Sequence, residues 1–391
     1  MELSRYLETP IREDLEKKMV FLAGPRQVGK TTLARRILTT FEEGVYFNWD
    51  NREDRKDIRQ AAWPAGHALL VLDEIHKWKG WKSWIKGEFD KHQTRLRFLV
   101  TGSARLDIYR RGGDSLQGRY HHYRLHPFTY AELIFRGATS LQQPFEALTM
   151  PTHGNRKTVD DLMVYGGFPE PLIAQSHRTL RRWQKERMER FFREDVRDLE
   201  TIRDLGSMQI LADLLSEKVG APLSLNSLRE DLDVSHRTIT LWLDIFEKLY
   251  YAIRIPPYAS QHVRSLKKMP KIYLWDPSLV SDTGARFENL VALHLLKFCH
   301  LLQDREGYKA ELYYLRDRDG READFLVCVD RKPWFVVEAK TGSEAINPNL
   351  FYFRDRLKIP FAYQIALEGE KDYLKDHIRC LPAWKFFGAL V

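Results

Sequence analysis

A glycine-rich stretch carries the first chemistry legible in the chain: Gly24-Pro-Arg-Gln-Val-Gly-Lys-Thr-Thr32. It meets the spacing Gly-x4-Gly-Lys-Thr, follows a short apolar run at 19–23, and leads into residues 33–38, whose apolar residues recur at helical spacing. Strand, glycine loop and helix are the context of a phosphate-binding loop, in which backbone N–H groups curl around phosphate oxygens and the positive end of the helix points at the same place. Gly24, Pro25, Arg26, Gln27, Val28, Gly29, Lys30, Thr31 and Thr32 are therefore expected to hold ATP. Lys30 would reach the β- and γ-phosphates, and the Thr31 hydroxyl would sit on Mg2+. A chance match on a strand–turn–helix is the competing reading, and the flanking pattern argues against it.

Further downstream, an apolar run at 68–72 ends in Asp73 and Glu74. A strand buried on both faces reads this way, and crevices form at the carboxyl ends of such strands. Asp73 is expected to hold Mg2+ and Glu74 to orient or deprotonate the attacking water. A helix cap after a core strand is the alternative. The next apolar run, 96–101, ends in Thr101, Gly102 and Ser103. Both hydroxyls are candidates to reach the γ-phosphate or the water, with Ser103 preferred. Arg119 is the candidate to supply positive charge to a neighbouring subunit's γ-phosphate; a solvated basic loop or a structural salt bridge competes with that role.

A second reactive set lies near the C-terminus. Glu288 falls in the first turns of a helical segment, Asp324 lies on a strand-like run at 321–329, and Glu338 and Lys340 lie two apart on its partner run at 334–340. Residues two apart on a strand share a face, and a hairpin can bring Asp324 to the same edge. Asp324 and Glu338 would bind a divalent ion, with Mg2+ suited to oxygen ligands, and Lys340 would stabilise charge on the nucleophile or on a phosphodiester. A surface charge cluster, or a degenerate site, is the alternative.

The elements that must position these groups can be read coarsely. Candidate strands at 19–23, 44–48, 68–72, 96–101 and 120–125 alternate with helical or mixed segments, which implies an α/β, mostly parallel sheet. A polar stretch at 140–160 reads as a loop, and 157–205 as helical, with 178–193 a lid, a basic nucleic-acid contact or a solvated face. Residues 207–255 read as three short helices followed by a strand, with a second strand at 271–275 beyond a basic loop. Three helices and two strands in that order make a winged helix-turn-helix. Its third helix would offer Ser235, His236, Arg237 and Thr240 to a groove, and its loop would add phosphate contacts through Arg264, Lys267 and Lys268. A module packed between protein domains is the other reading.

The 391 residues carry a net charge of +8, which favours an anionic partner, nucleic acid first. The 43% apolar content and ten Trp argue for buried cores and against disorder. Three isolated cysteines without metal-ligand spacing fit a reducing cytoplasm, and the N-terminus lacks an apolar signal core. No apolar run reaches the roughly 18 residues of a membrane span, so no membrane partner is expected.

The residues 24–31, 69–74, 101–103, 115–119 and 126–133, with Tyr165-Gly-Gly-Phe-Pro-Glu170, resemble the ATPase core of a prokaryotic AAA+-type family. Members often have Gln where this chain has His76, a change that leaves both ATPase acids intact. The resemblance implies an AAA+-like fold and a homo-oligomer, with a ring as one form. The later set Glu288, Asp324, Glu338 and Lys340 resembles the PD-(D/E)XK nuclease core, which implies Glu288 as a third ligand of the Mg2+ held by Asp324 and Glu338. The expected organisation is then an AAA+-like ATPase core (1–150), a helical lid or linker (151–205), a winged helix-turn-helix (206–278) and an α/β PD-(D/E)XK nuclease-like domain (279–391). The expected function is ATP hydrolysis linked to action on DNA, branched DNA included. The alternative is an ATP-dependent switch that engages a protein partner through a non-cutting C-terminal domain.

Overall fold

The computed structural model describes residues 3–102, 116–137, 141–197, 204–259, 269–342 and 345–391. Chain contacts divide it into two units, Met1–Pro127 and Phe128–Val391.

The first unit is built on five strands: β1 (Met19–Ala23), β2 (Gly44–Asn48), β3 (Ala68–Asp73), β4 (Leu96–Thr101) and β5 (Tyr120–Arg124). They stand in the order β2-β3-β4-β1-β5, and every pairing is parallel. Each residue of β1 and β3 is buried. Met19, Phe21 and Ala23 join Leu70, Leu72, Phe98 and Val100 in one core cluster, whereas Val20, Leu22, Leu69, Val71 and Leu99 are buried at the alternate positions. Period-2 alternation with burial at both sets of positions is the signature of a sheet covered on both faces. Helices at Glu8–Leu15, Lys30–Leu38, Arg52–Gln60 and Trp81–His92 connect or precede these strands. The strand order has one consequence for function: β4 stands between β1 and β3, so Thr101 pairs in register with Leu22 on one side and Asp73 on the other.

In the second unit, a short helix at Tyr130–Phe135 is followed by helices Arg156–Tyr165, Pro169–Ala174 and His177–Arg190. Three helices follow, Leu205–Glu217, Leu225–Asp231 and His236–Lys248. Ser224 and Ser235 cap the second and third by accepting the N–H groups of Ser227 and Thr238. An antiparallel pair, β6 (Ala252–Ile255) and β7 (Lys271–Leu274), comes next. The chain then forms the 22-residue helix Thr283–Asp304 and strands β8 (Ala310–Arg316), β9 (Glu322–Val329), β10 (Lys332–Lys340), β11 (Phe361–Ala366), β12 (Tyr373–Lys375) and β13 (Ile378–Pro382). These last six make a mixed sheet ordered β12-β13-β11-β10-β9-β8, with β8-β9-β10 an antiparallel meander and β10-β11-β13 parallel. Among the described residues, no helix is long and apolar enough to cross a membrane.

Candidate functional site

In the first unit, the loop after β1 is shaped by residues that cannot be exchanged freely. Gly24 has φ +149°, and a Cβ there would lie 2.4 Å from the Leu125 carbonyl oxygen. Gln27 and Gly29 are also left-handed, at φ 61° and 97°. Gly29 then leads directly into the helix Lys30–Leu38, leaving the helix's first N–H groups facing the loop. Lys30 is 8% exposed, and its ammonium donates to the Gly24 and Pro25 carbonyls at 3.0 and 2.7 Å. A lysine folded back on its own loop, beside a helix N-terminus, offers the positive charge and N–H donors that a polyphosphate needs.

Asp73 ends β3 and gathers three hydroxyls. Thr31 Oγ1 and Tyr46 Oη donate to Oδ2 at 2.8 and 2.7 Å, and Thr101 Oγ1 donates to Oδ1. The Thr31–Asp73 bond joins two motifs 42 residues apart. A hydroxyl and a carboxylate held side by side are hard oxygen donors that fit Mg2+. Tyr46 stays protonated as a donor, its pKa raised by burial and then by Asp73. Glu74 sits in a left-handed conformation at φ 59°, with its N–H on the Thr101 carbonyl. Its carboxylate pairs with Lys77 at 3.2 Å and lies 3.7 Å from the His76 ring.

Of the expected residues, the structure brings Lys30 onto the loop and Thr31 onto Asp73. Arg26 and Gln27 are half-buried, and Thr32 is exposed on the helix. Ser103 lies outside the described residues; Thr101 is the hydroxyl found on Asp73. Arg119 makes a two-pronged pair with Asp90 at 2.7 and 3.0 Å. Sequence reasoning missed Arg5, which is 6% exposed and donates to the carbonyls of Val28 and His126, tying the phosphate loop to the end of β5. It also missed Tyr46. Neither residue belongs to a motif; the parallel register of the sheet reveals Tyr46, and the packing of the N-terminal segment against the phosphate loop reveals Arg5.

In the second unit, Ser235, His236 and Arg237 are exposed at the start of the helix His236–Lys248, while Thr240 is half-buried and bonds back to the His236 carbonyl. Ile239, Trp242, Leu243, Ile245 and Phe246 bury the opposite side of that helix. Arg264, Lys267 and Lys268 lie outside the described residues.

The carboxylate set is brought together by strands β9 and β10. Their register pairs Val337 with Phe325, so Glu338 stands opposite Asp324. Asp324 Oδ2 accepts the Ala339 N–H at 2.9 Å. Glu338 is 3% exposed; its Oε1 takes Lys340 at 2.8 Å and Asn347, while its Oε2 has no hydrogen-bond partner among the described residues. Burial and then the Asp324 charge push the Glu338 carboxyl up to about 7. Burial also raises Asp324. The orphaned Oε2 beside a second carboxylate fits a single cation. Glu288 is engaged elsewhere: Lys271 Nζ lies 2.9 Å and Tyr273 Oη 2.6 Å from its Oε1. Its pKa is pushed up to about 7 by burial and by Asp324. Among the described residues, no group of three or more His, Cys, Asp or Glu side chains is arranged to hold a metal ion. Lys271 itself was read from sequence only as part of a strand.

Residues 16–134 match the family described as AAA domain, and residues 156–287 and 283–386 match two domains of unknown function, DUF8612 and DUF4143. An uncharacterised protein of Mycobacterium tuberculosis is 24% identical over 378 residues, spanning 93% of this chain and 80% of its own. An uncharacterised protein of Methanocaldococcus jannaschii is 24% identical over 425 residues, spanning 97% and 86%. Among solved structures, the Walker-type ATPase of Pyrococcus abyssi has a TM-score of 0.42 at 14% identity, over 71% of this chain and 94% of that one. Thermotoga maritima RuvB has a TM-score of 0.31 at 17% identity, over 67% and 94%. By its family match, its phosphate loop and its parallel sheet, the segment 16–134 is an AAA-type P-loop ATPase domain.

Proposed function

We propose that the chain binds and hydrolyses ATP at the loop Gly24–Thr32 and couples that cycle to action on DNA through its second unit. The observation that carries the ATPase reading is the Thr31–Asp73 hydrogen bond, which joins the end of the phosphate loop to the end of β3. With Mg2+ bound, Thr31 and Asp73 would hold it, and the ion would offset charge that develops on the phosphates. Lys30 leaves the loop carbonyls for phosphate oxygens, and the loop N–H groups orient the chain for in-line attack. Glu74, released from Lys77, orients or deprotonates the attacking water. Thr101 and Tyr46 fix the Asp73 carboxylate, and Arg5 fixes the loop. Arg119 acts on the phosphates of a neighbouring copy, in a homo-oligomer, once it leaves Asp90.

DNA as the target is supported by the +8 charge and by the exposed Ser235, His236 and Arg237 at the head of the last of three helices. The antiparallel β6–β7 pair that follows has the order of a winged helix. The Asp324, Glu338 and Lys340 set supports metal-assisted cleavage of a phosphodiester on a PD-(D/E)XK-like sheet. A second reading, in which ATP switches a non-cutting second unit between protein partners, is favoured by one observation: the expected acid Glu288 is ion-paired with Lys271.

The test is the ATP hydrolysis rate of the full chain with duplex, single-stranded and four-way junction DNA, alongside cleavage of the same DNAs with Mg2+ or Mn2+. Stimulation by one DNA form, and cleavage lost in Asp324→Ala, support the first reading. A rate indifferent to all of them, with no cleavage, favours the second.

A further inference from the structure

Lys271 is 1% exposed, yet its ammonium lies 2.9 Å from Glu288, 2.6 Å from Glu322 and 3.7 Å from Asp324. It comes from β7, outside the sheet that carries Glu322 and Asp324, so a strand of the preceding segment inserts a cation into the carboxylate set. Each of the two acids it holds most closely is also held by a second group. Glu288 Oε1 takes Lys271 and Tyr273 Oη together, and Glu288 Oε2 lies 2.9 Å from where a Cβ on Gly220 would sit. Gly220 has φ +79° and donates its N–H to the Ile272 carbonyl, so the turn after Leu205–Glu217 closes over Glu288. Glu322 takes Arg316 at 3.0 Å through its other oxygen. Among the described residues, Glu338 Oε2 is a buried carboxylate oxygen with no hydrogen-bond partner, and the β9–β10 register sets Glu338 opposite Asp324.

A metal-assisted phosphodiester site with several carboxylates can take two divalent ions, one for the attacking and one for the leaving oxygen. Here a second ion ligated by Glu288 and Asp324 would have to occupy the space between two groups that both lie against the Lys271 ammonium. A dication and an ammonium repel at that range, and burial strengthens the repulsion. We propose that Lys271 is a built-in second cation of this site, so that its carboxylates take one divalent ion, between Asp324 and Glu338, and not two. The inference rests on the reading of Asp324, Glu338 and Lys340 as a phosphodiester-cleaving set. Lys271 is then a positioning residue: it holds Glu288 and Glu322 in place and supplies fixed charge behind the ion.

The experiment counts ions. Manganese(II) binding to the full chain, without nucleotide and in an Asp73→Asn background that removes the phosphate-loop site, is followed by electron paramagnetic resonance. The expected result is one ion, lost on Glu338→Gln. Lys271→Met raises the count to two, with the broadened spectrum of a spin-coupled pair, whereas Lys271→Arg, which keeps the charge, stays at one. If Lys271→Met does not fold, Lys271→Gln takes its place with the same expectation. Two ions with Lys271 present, or one ion in both Lys271 and Lys271→Met chains, overturns the role of Lys271 while leaving the metal site intact. No ion at all in the starting background sinks the cleavage reading, and the inference with it.

Discussion

Replacing Thr101 with Val should separate catalysis from nucleotide binding. The Thr101 side chain is fully buried, and its hydroxyl is the donor to Asp73 Oδ1. Valine keeps the shape and removes the hydroxyl, so Asp73 Oδ1 loses its buried donor. A hydrogen bond to a charged group contributes about 1.5–3 kcal/mol, and Thr101→Val forfeits that interaction. Asp73 keeps Thr31 and Tyr46, but both bond to Oδ2, so the carboxylate is free to rotate about the side that carries them. If the same energy is lost from the transition state, kcat falls roughly 10- to 100-fold. The loop contacts of Lys30 are untouched, so KM for ATP changes little. The assay is phosphate release at saturating ATP and Mg2+, with nucleotide affinity measured separately by fluorescence and stability by urea denaturation. Thr101→Ser should restore the rate. A Thr101→Val chain with wild-type kcat, or one whose KM rises while kcat holds, would refute the placement of Thr101 behind Asp73.

Other outcomes follow from the same geometry. Gly24→Ala places a Cβ 2.4 Å from the Leu125 carbonyl oxygen; it should abolish the rise in melting temperature that ATP gives the wild type. Arg119→Ala should cut kcat at least tenfold, by the usual scale of an arginine acting on a γ-phosphate, while Asp90→Ala leaves it unchanged; equal losses would make the pair structural. His294 is fully buried, accepts the Tyr130 N–H on Nε2 at 3.0 Å and places Nδ1 2.8 Å from the Leu290 carbonyl, and burial lowers its pKa to about 3. Its stabilising contribution is complete above the ordinary value of 6.5 and is lost as pH falls toward the folded value. Moving from pH 7.5 to pH 5 should therefore cost about 2 kcal/mol in urea denaturation, and His294→Gln should remove that part of the slope.

The phosphate loop was legible in the sequence because its requirements are local: glycines at left-handed positions and a lysine one step inside a helix. The acid at Asp73 was legible for a similar reason, standing at the end of a continuous apolar run. What supports them was not. Thr101 and Tyr46 reach Asp73 only because β4 and β2 flank β3, and no spacing in the chain encodes which strands are neighbours. Arg5 acts on Val28, 23 residues away, and on His126, 121 residues away, without a motif around it. In the second unit, Asp324, Glu338 and Lys340 follow from strand periodicity and one hairpin. Lys271 does not, because a lysine in a short strand reads as a solvent-facing charge. Its charge is matched only because Glu288 arrives from the helix Thr283–Asp304 and Glu322 and Asp324 arrive from β9.

The central claim is that ATP is hydrolysed at Gly24–Thr32 with Lys30 as the phosphate-binding charge. The most direct measurement is steady-state phosphate release from ATP with Mg2+ by the full chain and by Lys30→Ala, both shown to be folded by circular dichroism. Turnover in the wild type that is lost in Lys30→Ala is the predicted result; turnover at the wild-type rate in Lys30→Ala would contradict it.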